Sequence, residues 1–551
     1  MPNPISILND VLGPVMRGPS SSHTAGPFFI GTLARGLLGG VPASATFVFD
    51  PGGSFAEVYH EQGSDRGFVA GLLGWSLTDE RFPDVLAHAA GQGLQVDFRV
   101  EPLPGADHPN TVEIRLLSFP QRRHSDGAAS RTGRRLRAVA QSIGGGAIVF
   151  TRVGDWPVQL TGDAHEVLLV LEARAGRGRR GLSQSVRACP IGGLEQSEAA
   201  VREILTQDGE AIGQPARQVR DGQVFLHVRR CSPLPDGARA RLEATPGVRD
   251  LWTAPPVFFV QRGAPLFASG AEMVTLAEAR GCSLGQIGLA YEAALLGLPE
   301  REVVAEMTRR FDVMQAAVHR GLEPDLPPMV LLHPSARQVY EAEAQGRVAL
   351  GGIHTRAAAR AMAALHVNAS GGVVCAAPTA GAAGVVPGTV VTLAEEWGLT
   401  REQTALALFA ASAAGLVIRA RATFAAEVAG CQVEIGAAGA MAAAAVVEAA
   451  GGSARQAADA AAIALQNTMG SICDPVQGVV EIPCHTRNAV AASSAFVCAD
   501  LIMGGYANPI PLDETVDAMY AVGHMLPREL KCTALGGLSL APSGLALPRL
   551  R

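Results

Sequence analysis

Apolar positions repeat with two different periods along this chain, and the change of period divides it. Early on, short runs alternate apolar and polar side chains: SATFVFD (residues 44–50), LQVDFRV (94–100) and TVEIRLL (111–117). A period of two turns one face of a strand toward a core. Helix-like runs lie between them, so residues 1–160 are expected to form an α/β or α+β domain. The Arg-, Ser- and Gly-rich stretch 122–137 reads as an exposed loop within it. Over 163–260 the order is strand (HEVLLVLEA), helix (GLEQSEAAVREIL), strand (ARQVR), strand (QVFLHVRR), helix (DGARARLEA), strand (VRDLWTA). That βαββαβ order predicts a ferredoxin-like middle domain.

From 263 to 551 the period becomes helical, and this part is expected to be predominantly α-helical. Thr392-x-x-Glu395, Thr400-x-x-Gln403 and Ser453-x-x-Gln456 each have the form of a capping box opening a helix. Gly398 fits the stop between the first two. The stretch 403–450 is apolar nearly all round and rich in alanine, which predicts helices buried on most sides.

Composition narrows the function classes. The 551 residues, 48% hydrophobic and 17% charged, supply material for several cores. A formal charge of −6 and 5% aromatic residues offer neither a basic face nor a stacking platform for nucleic acid. The opening MPNPISILNDVLGPVMRGPSSSHT lacks the layout of a secretory signal. The uncharged stretch 371–394 is broken by Pro378, Pro387 and glycines, and the apolar run 405–418 is too short to span a bilayer comfortably. No membrane association is expected, and nine cysteines without an export signal point to a reducing cytoplasm. Lys531 is the single lysine, so a pyridoxal Schiff base would have one candidate, with no clear Gly-rich phosphate cradle near it in sequence. Pyridoxal phosphate is therefore not expected.

Three cysteines stand in distinctive surroundings: Cys431 in GCQVE, and Cys473 and Cys484 in CDPVQGVVEIPCHTRN. Thiolates are soft ligands, so three converging on one point suit zinc or an iron–sulfur cluster and leave a metal position open for substrate. Three buried thiols acting as small hydrophobes satisfy the same spacing. Spacing alone leaves both readings open.

The motifs around them resemble the iron–sulfur-dependent L-serine dehydratases (L-serine ammonia-lyases), in the form that carries an N-terminal and a catalytic domain on one chain. RGPSSSHTAGP (17–27), GSFAEVYHEQGSD (53–65) and QSIGGGAIVF (141–150) are similar to that family's N-terminal domain. NASGGVVCAAPTAGAAGVVPG (368–388), GCQVE, CDPVQGVVEIPCHTRN and KCTALGGL (531–538) follow in the order of its catalytic domain. The resemblance implies a 4Fe–4S cluster held by Cys431, Cys473 and Cys484, and conversion of L-serine to pyruvate and ammonia in amino-acid degradation and gluconeogenesis. It implies catalytic roles for His23, as acid or base, with Ser21 and Lys531. Substrate binding would fall to Ser20, Ser22, Thr24, Asn368, Thr379, Gly381, Arg487 and Asn488, with Arg487 suited to a carboxylate. Asp474 is expected to orient the cysteine loop, and Gln432 and Glu434 to support Cys431. Cys375, Cys498 and Cys532 are expected to be packing residues.

Such a lyase needs loss of the α-proton and departure of a poor leaving group, hydroxide, which a Lewis-acidic metal assists. L-threonine or L-cysteine turnover on the same scaffold, or a non-catalytic amino-acid-binding regulator, are the alternatives. The middle domain resembles an ACT-type regulatory domain, although its first connection, AGRGRRG (175–181), departs by its basic charge. Two further departures are Ala383, where many relatives have cysteine, and the ending PRLR, where some relatives carry a terminal cysteine. A homodimer is expected, acting on a small amino acid.

Overall fold

A computed structural model describes residues 4–119, 133–172 and 193–548. A short strand, β1 (Val15–Arg17), precedes a six-stranded sheet. Its members are β2 (Pro42–Phe49), β3 (Gln95–Val100), β4 (Thr111–Ser118), β5 (Arg135–Ser142), β6 (Ile148–Val153) and β7 (Trp156–Leu160), ordered β3-β2-β4-β5-β6-β7. β2 and β3 are parallel and the remaining pairs antiparallel. The three alternating runs of the sequence are β2, β3 and β4. Phe47 and Phe49, two positions apart, share a face. Both stack on Phe68 of the helix Ser64–Leu73, with ring centroids 4.4 and 6.0 Å away.

The expected loop 122–137 is corrected at its end, where Arg135–Arg137 already belong to β5. Leu136, Ala138 and Ala140 are buried while Arg135 and Arg137 face out, so the charges had masked a period of two. Residues 120–132 and the AGRGRRG connection lie outside the described residues.

The middle part follows the predicted element order. β8 (His165–Glu172), β9 (Ala211–Arg220), β10 (Gln223–Arg230) and β11 (Val248–Ala254) form an antiparallel sheet ordered β11-β8-β10-β9, with helices Gly193–Thr206 and Asp236–Ala244 between strands. Val167, Leu169 and Leu171 of β8 pack with Val201, Leu205 and Leu242 from those helices. Leu168 and Val170 point the other way, with Phe225, into the main core, where Trp156 of β7 stacks on Phe225 at 5.2 Å. Burial on both faces explains the unbroken apolar run of this strand.

The remainder is helical apart from β12 (Val373–Cys375). Helix Ile435–Ala449 is its centre, buried at every position from Ile435 to Val447. Helices Val385–Trp397, Arg401–Arg421, Ala454–Thr468 and Cys484–Met503 pack around it. Its alanines and glycines let the axes approach closely on all sides. The Thr400/Gln403 and Ser453/Gln456 capping boxes form as expected, and Gly398 ends a helix in the left-handed conformation. Thr392 is a correction. It lies inside Val385–Trp397, where its hydroxyl donates to the Gly388 carbonyl at 2.7 Å. Pro387 sits in that helix's first turn, where no N–H is needed, so it does not delay the start. The 405–418 run belongs to a 21-residue helix which, like Cys431–Ala449, is long and apolar enough to cross a membrane. Burial of 78% and 89% of their apolar windows inside the protein makes both core helices.

The N-terminal segment ties the parts together. Ile7–Val11 forms one π-helical turn whose Ser6 hydroxyl and Ile7 and Leu8 amides donate to the buried Glu292 carboxylate at 2.5, 2.7 and 3.0 Å. β1 then pairs antiparallel with β12, Val15 opposite Cys375 and Arg17 opposite Val373. A Cβ on Gly18 would lie 2.0 Å from the Asn368 carbonyl oxygen, so the chains cross here on a glycine. Gly144, at φ +94°, makes a second close crossing, since its Cβ would meet the Ala425 amide at 2.5 Å.

His366 provides a test of the helical part. Its Nε2 accepts from the amides of Ser335 and Ala336 at 3.1 and 3.2 Å, and burial pushes its pKa down to about 4. The unfolded chain, titrating near 6.5, binds the extra proton first, so stability falls as pH drops from 6.5 toward 4. Buried Asp10, pushed up to about 6, slopes the opposite way over much of that window. We therefore expect the difference in unfolding free energy between wild type and His366→Gln to shrink with falling pH, by at most about 3 kcal/mol. A pH-independent difference in denaturant titrations would contradict this.

Candidate active and metal site

Cys431, Cys473, Cys484 and Cys532 are all buried. Cys431 follows Gly430, whose φ of +78° and close approach to the Ser471 carbonyl require glycine. It opens a 3-10 turn leading into the central helix, and Cys484 is the first residue of helix Cys484–Met503. Helix N-termini favour a thiolate. Cys473 lies in a loop bridged to Lys531, its amide donating to Leu530 and its carbonyl accepting from the Cys532 amide at 2.9 and 3.0 Å.

The Cys431 and Cys473 sulfurs and a Glu434 carboxylate oxygen lie within 4.8 Å of one another. A proton on Cys473 directed at Cys431 holds the Cys431 thiol below its usual value against burial, and Arg487 adds to this. Cys473, hydrogen-bonded to both Cys431 and Cys532, is pushed well up, and burial does the same to Cys484. Two sulfurs and a carboxylate oxygen in reach, with the Cys532 thiol against Cys473, are a donor set that suits a thiophilic metal, while Cys484, the third expected ligand, is outside the group that meets within 4.8 Å. Cys532 therefore differs from the packing role expected of it. It stands against Cys473, at φ +60°, and its sulfur accepts from Gln62 Nε2 at 3.7 Å.

Arg487 and Asn488 are engaged with the protein. Arg487 pairs with Asp474 at 3.0 Å and donates to Cys431 Sγ at 3.8 Å and the Ile472 carbonyl at 2.9 Å. Asp474 also accepts from the Leu538 amide, which ties the cysteine loop to the C-terminal segment. Asn488 accepts from the Gly384 amide and donates to the Gly381 and Cys484 carbonyls. It thereby fixes the PTAGAAG turn to the cysteine helix. Thr379 caps this turn and hydrogen-bonds Glu434, whose carboxyl is raised by burial and then by Cys431 and Glu427. Gly381 leaves ordinary contact distance to Glu434 and Val480.

The serine-rich loop arrives from the N-terminal part. Ser20 caps a π-helical turn, Ser21–Ala25, by accepting from the His23 amide. Ser21 Oγ accepts from the Ala380 amide at 3.3 Å, Thr24 Oγ1 donates to Gln62, and Asn368 Nδ2 donates to the Pro19 carbonyl. His23 is fully buried. Its Nδ1 lies 3.1 Å from Ser22 Oγ and 3.8 Å from Glu427, and its Nε2 lies 3.1 Å from Ser54 Oγ. With Ser54 donating to the Cys532 carbonyl, which can only accept, the tautomer that satisfies both contacts carries its proton on Nε2. Nδ1 is left as the basic nitrogen. Burial pushes the imidazole pKa down, with Glu427 opposing.

A cavity of about 520 Å³ opens beside these groups, lined by Ser54, His108, Glu427, His524, Arg528 and Lys531, among others. Burial lowers the Lys531 ammonium pKa. Ser54, Gln62 and Glu427 were missed as site residues, although the first two lie inside a quoted motif and the third is four residues before Cys431. Asn110, which donates to Glu427, carried no signal in its surroundings.

Residues 197–539 match the family described as serine dehydratase alpha chain. The chain is similar to the probable L-serine dehydratase, alpha chain, of Bacillus subtilis (strain 168), 38% identical over 284 residues, 52% of this chain and 95% of that protein. It is similar to the L-serine dehydratase, alpha chain, of Peptoniphilus asaccharolyticus, 36% identical over 279 residues, 50% of this chain and 96% of that one. The L-serine dehydratase of Streptomyces coelicolor is 35% identical over 288 residues, 50% of this chain and 61% of that protein.

Cys473 sits in a loop, so its removal leaves the helices intact. After anaerobic incubation with iron and sulfide, Cys473→Ser is expected to retain less metal than wild type, with unchanged helical circular dichroism. Full iron retention would contradict a ligand role.

Proposed function

The chain belongs to the serine dehydratase alpha chain family, and from that premise we propose that it is an L-serine ammonia-lyase forming pyruvate and ammonia. The observation that carries this reading is the seam at which the serine-rich loop meets the PTAGAAG turn through Ser21 and Ala380, and at which His23 reaches the cysteine segments through Ser54 and the Cys532 carbonyl. Cys431, Cys473 and Cys484 would hold a 4Fe–4S cluster, which when bound supplies a Lewis acid for loss of the β-hydroxyl.

The chain's own groups do the rest. His23 takes the α-proton at Nδ1, because Ser54 holds the proton on Nε2. Glu427 beside Nδ1 stabilises the imidazolium that results. The Thr379 turn, which Ser21 reaches through the Ala380 amide, would form the binding surface for the substrate carboxylate together with Ser20, Ser22, Thr24 and Asn368. Arg487 is already paired with Asp474, so its role is to balance the thiolate charge, and Asn488 positions the turn. Lys531 lines the approach from the cavity. Loss of water leaves an aminoacrylate, which tautomerises and hydrolyses to pyruvate and ammonia. No net oxidation occurs.

The middle part, about 163–260, we read as a ferredoxin-like unit of ACT type, on the support of its strand order. It separates an N-terminal domain, 1–160, from a catalytic domain, 263–551. A homodimer is supported by the outer face of helix Cys484–Met503, where Val490, Val497, Leu501 and Met503 are 40–67% exposed. The reading places the enzyme in the cytoplasm, in amino-acid breakdown.

Anaerobically purified protein is expected to form pyruvate from L-serine in proportion to its iron and sulfide content, and to lose activity in air. L-Threonine and L-cysteine measured beside it define the preference. Iron-replete, folded protein that leaves L-serine unchanged would refute the proposal.

A further inference from the structure

A buried carboxylate needs a cation or several donors. Glu427, with its side chain 1% exposed, receives one amide donor, Asn110 Nδ2. Its one basic neighbour within 4.0 Å among the described residues is His23, at 3.8 Å. That neighbour presents a lone pair rather than a charge, because Nε2 holds its proton and Nδ1 accepts from Ser22. Asn110 is itself fully buried, and among the described residues its Oδ1 has no hydrogen-bond partner. The carboxylate and the amide oxygen are thus acceptors short of donors. Glu427 also lines the cavity of about 520 Å³, so its carboxylate is reachable by a small ligand.

We propose that Glu427 and Asn110 Oδ1 form the subsite for the α-ammonium group of the substrate. A primary ammonium supplies what this cluster lacks, a positive charge and three N–H donors. Bound there, it holds Cα one bond away, on the side of His23 where Nδ1, the basic nitrogen, takes the proton in exchange for the Ser22 hydrogen bond. Deletion of the ammonium is then what the site detects. The inference rests on the lyase reading and adds to it the residues that distinguish an amino acid from a hydroxy acid.

The test uses full-length enzyme loaded anaerobically, with L-serine and with 3-hydroxypropionate, which keeps the carboxylate and β-hydroxyl but lacks the ammonium. In Glu427→Gln the L-serine dissociation constant should rise about 10- to 100-fold, the loss of a charge-assisted contact, while that of 3-hydroxypropionate stays within about 3-fold. Unchanged L-serine affinity, or equal loss for both ligands, would overturn the subsite. Should Glu427→Gln fail to fold, Asn110→Ala decides: L-serine weakened about 5-fold with the analogue unaffected supports it, and unaffected L-serine overturns it. A wild type that binds L-serine without forming pyruvate would sink the lyase reading instead, and the same affinity comparison would still judge the subsite.

Discussion

A three-residue ladder holds the two halves of the site together. β1 and β12 come from opposite ends of the structure's logic, one leading into the serine-rich loop and the other into the PTAGAAG turn. Their register brings Gly18 against the Asn368 carbonyl with no room for a side chain. The Glu292 clamp on the first turn prevents the segment from sliding, because three donors would lose a buried carboxylate at once. Each contact across the seam is small. Together they fix His23 relative to the cysteines through Ser54 and the Cys532 carbonyl.

The second constraint is charge in a dry interior. The helices around Ile435–Ala449 are apolar, so each ionised group among them must have a partner within reach. Arg487 serves Asp474 and the Cys431 sulfur together, adding to the Cys473 hydrogen bond that holds the Cys431 thiol below its usual value, while Cys473 and Cys484 are pushed up. A metal arriving there replaces protons rather than water, so its affinity rises with pH. Among the described residues Glu427 has one side-chain hydrogen bond, from Asn110, and an uncharged imidazole beside it, which leaves room for a cationic group of the substrate.

Much of this was legible in the residues. Period two marked β2, β3 and β4, and capping boxes marked two helix starts where Ser or Thr was followed by Gln. The third box failed because Pro387 can occupy a first helical turn, a choice that depends on where the chain enters. Arg135 and Arg137 hid a strand because outward positions tolerate any charge. Cysteine surroundings pointed to Cys431, Cys473 and Cys484, but Cys532 and Cys473 meet by backbone pairing between loops distant in sequence. Asn110 lies more than three hundred residues from Glu427, and no local pattern announces such a contact.

The central claim is that a substrate group reaches one metal position left open by three thiolate ligands. Mössbauer spectra of iron-57-loaded protein, taken anaerobically with and without L-serine, address it directly. The account predicts that the signal of about one iron in four shifts on adding L-serine while the others stay. Spectra identical with and without L-serine, in protein that turns it over, would contradict it.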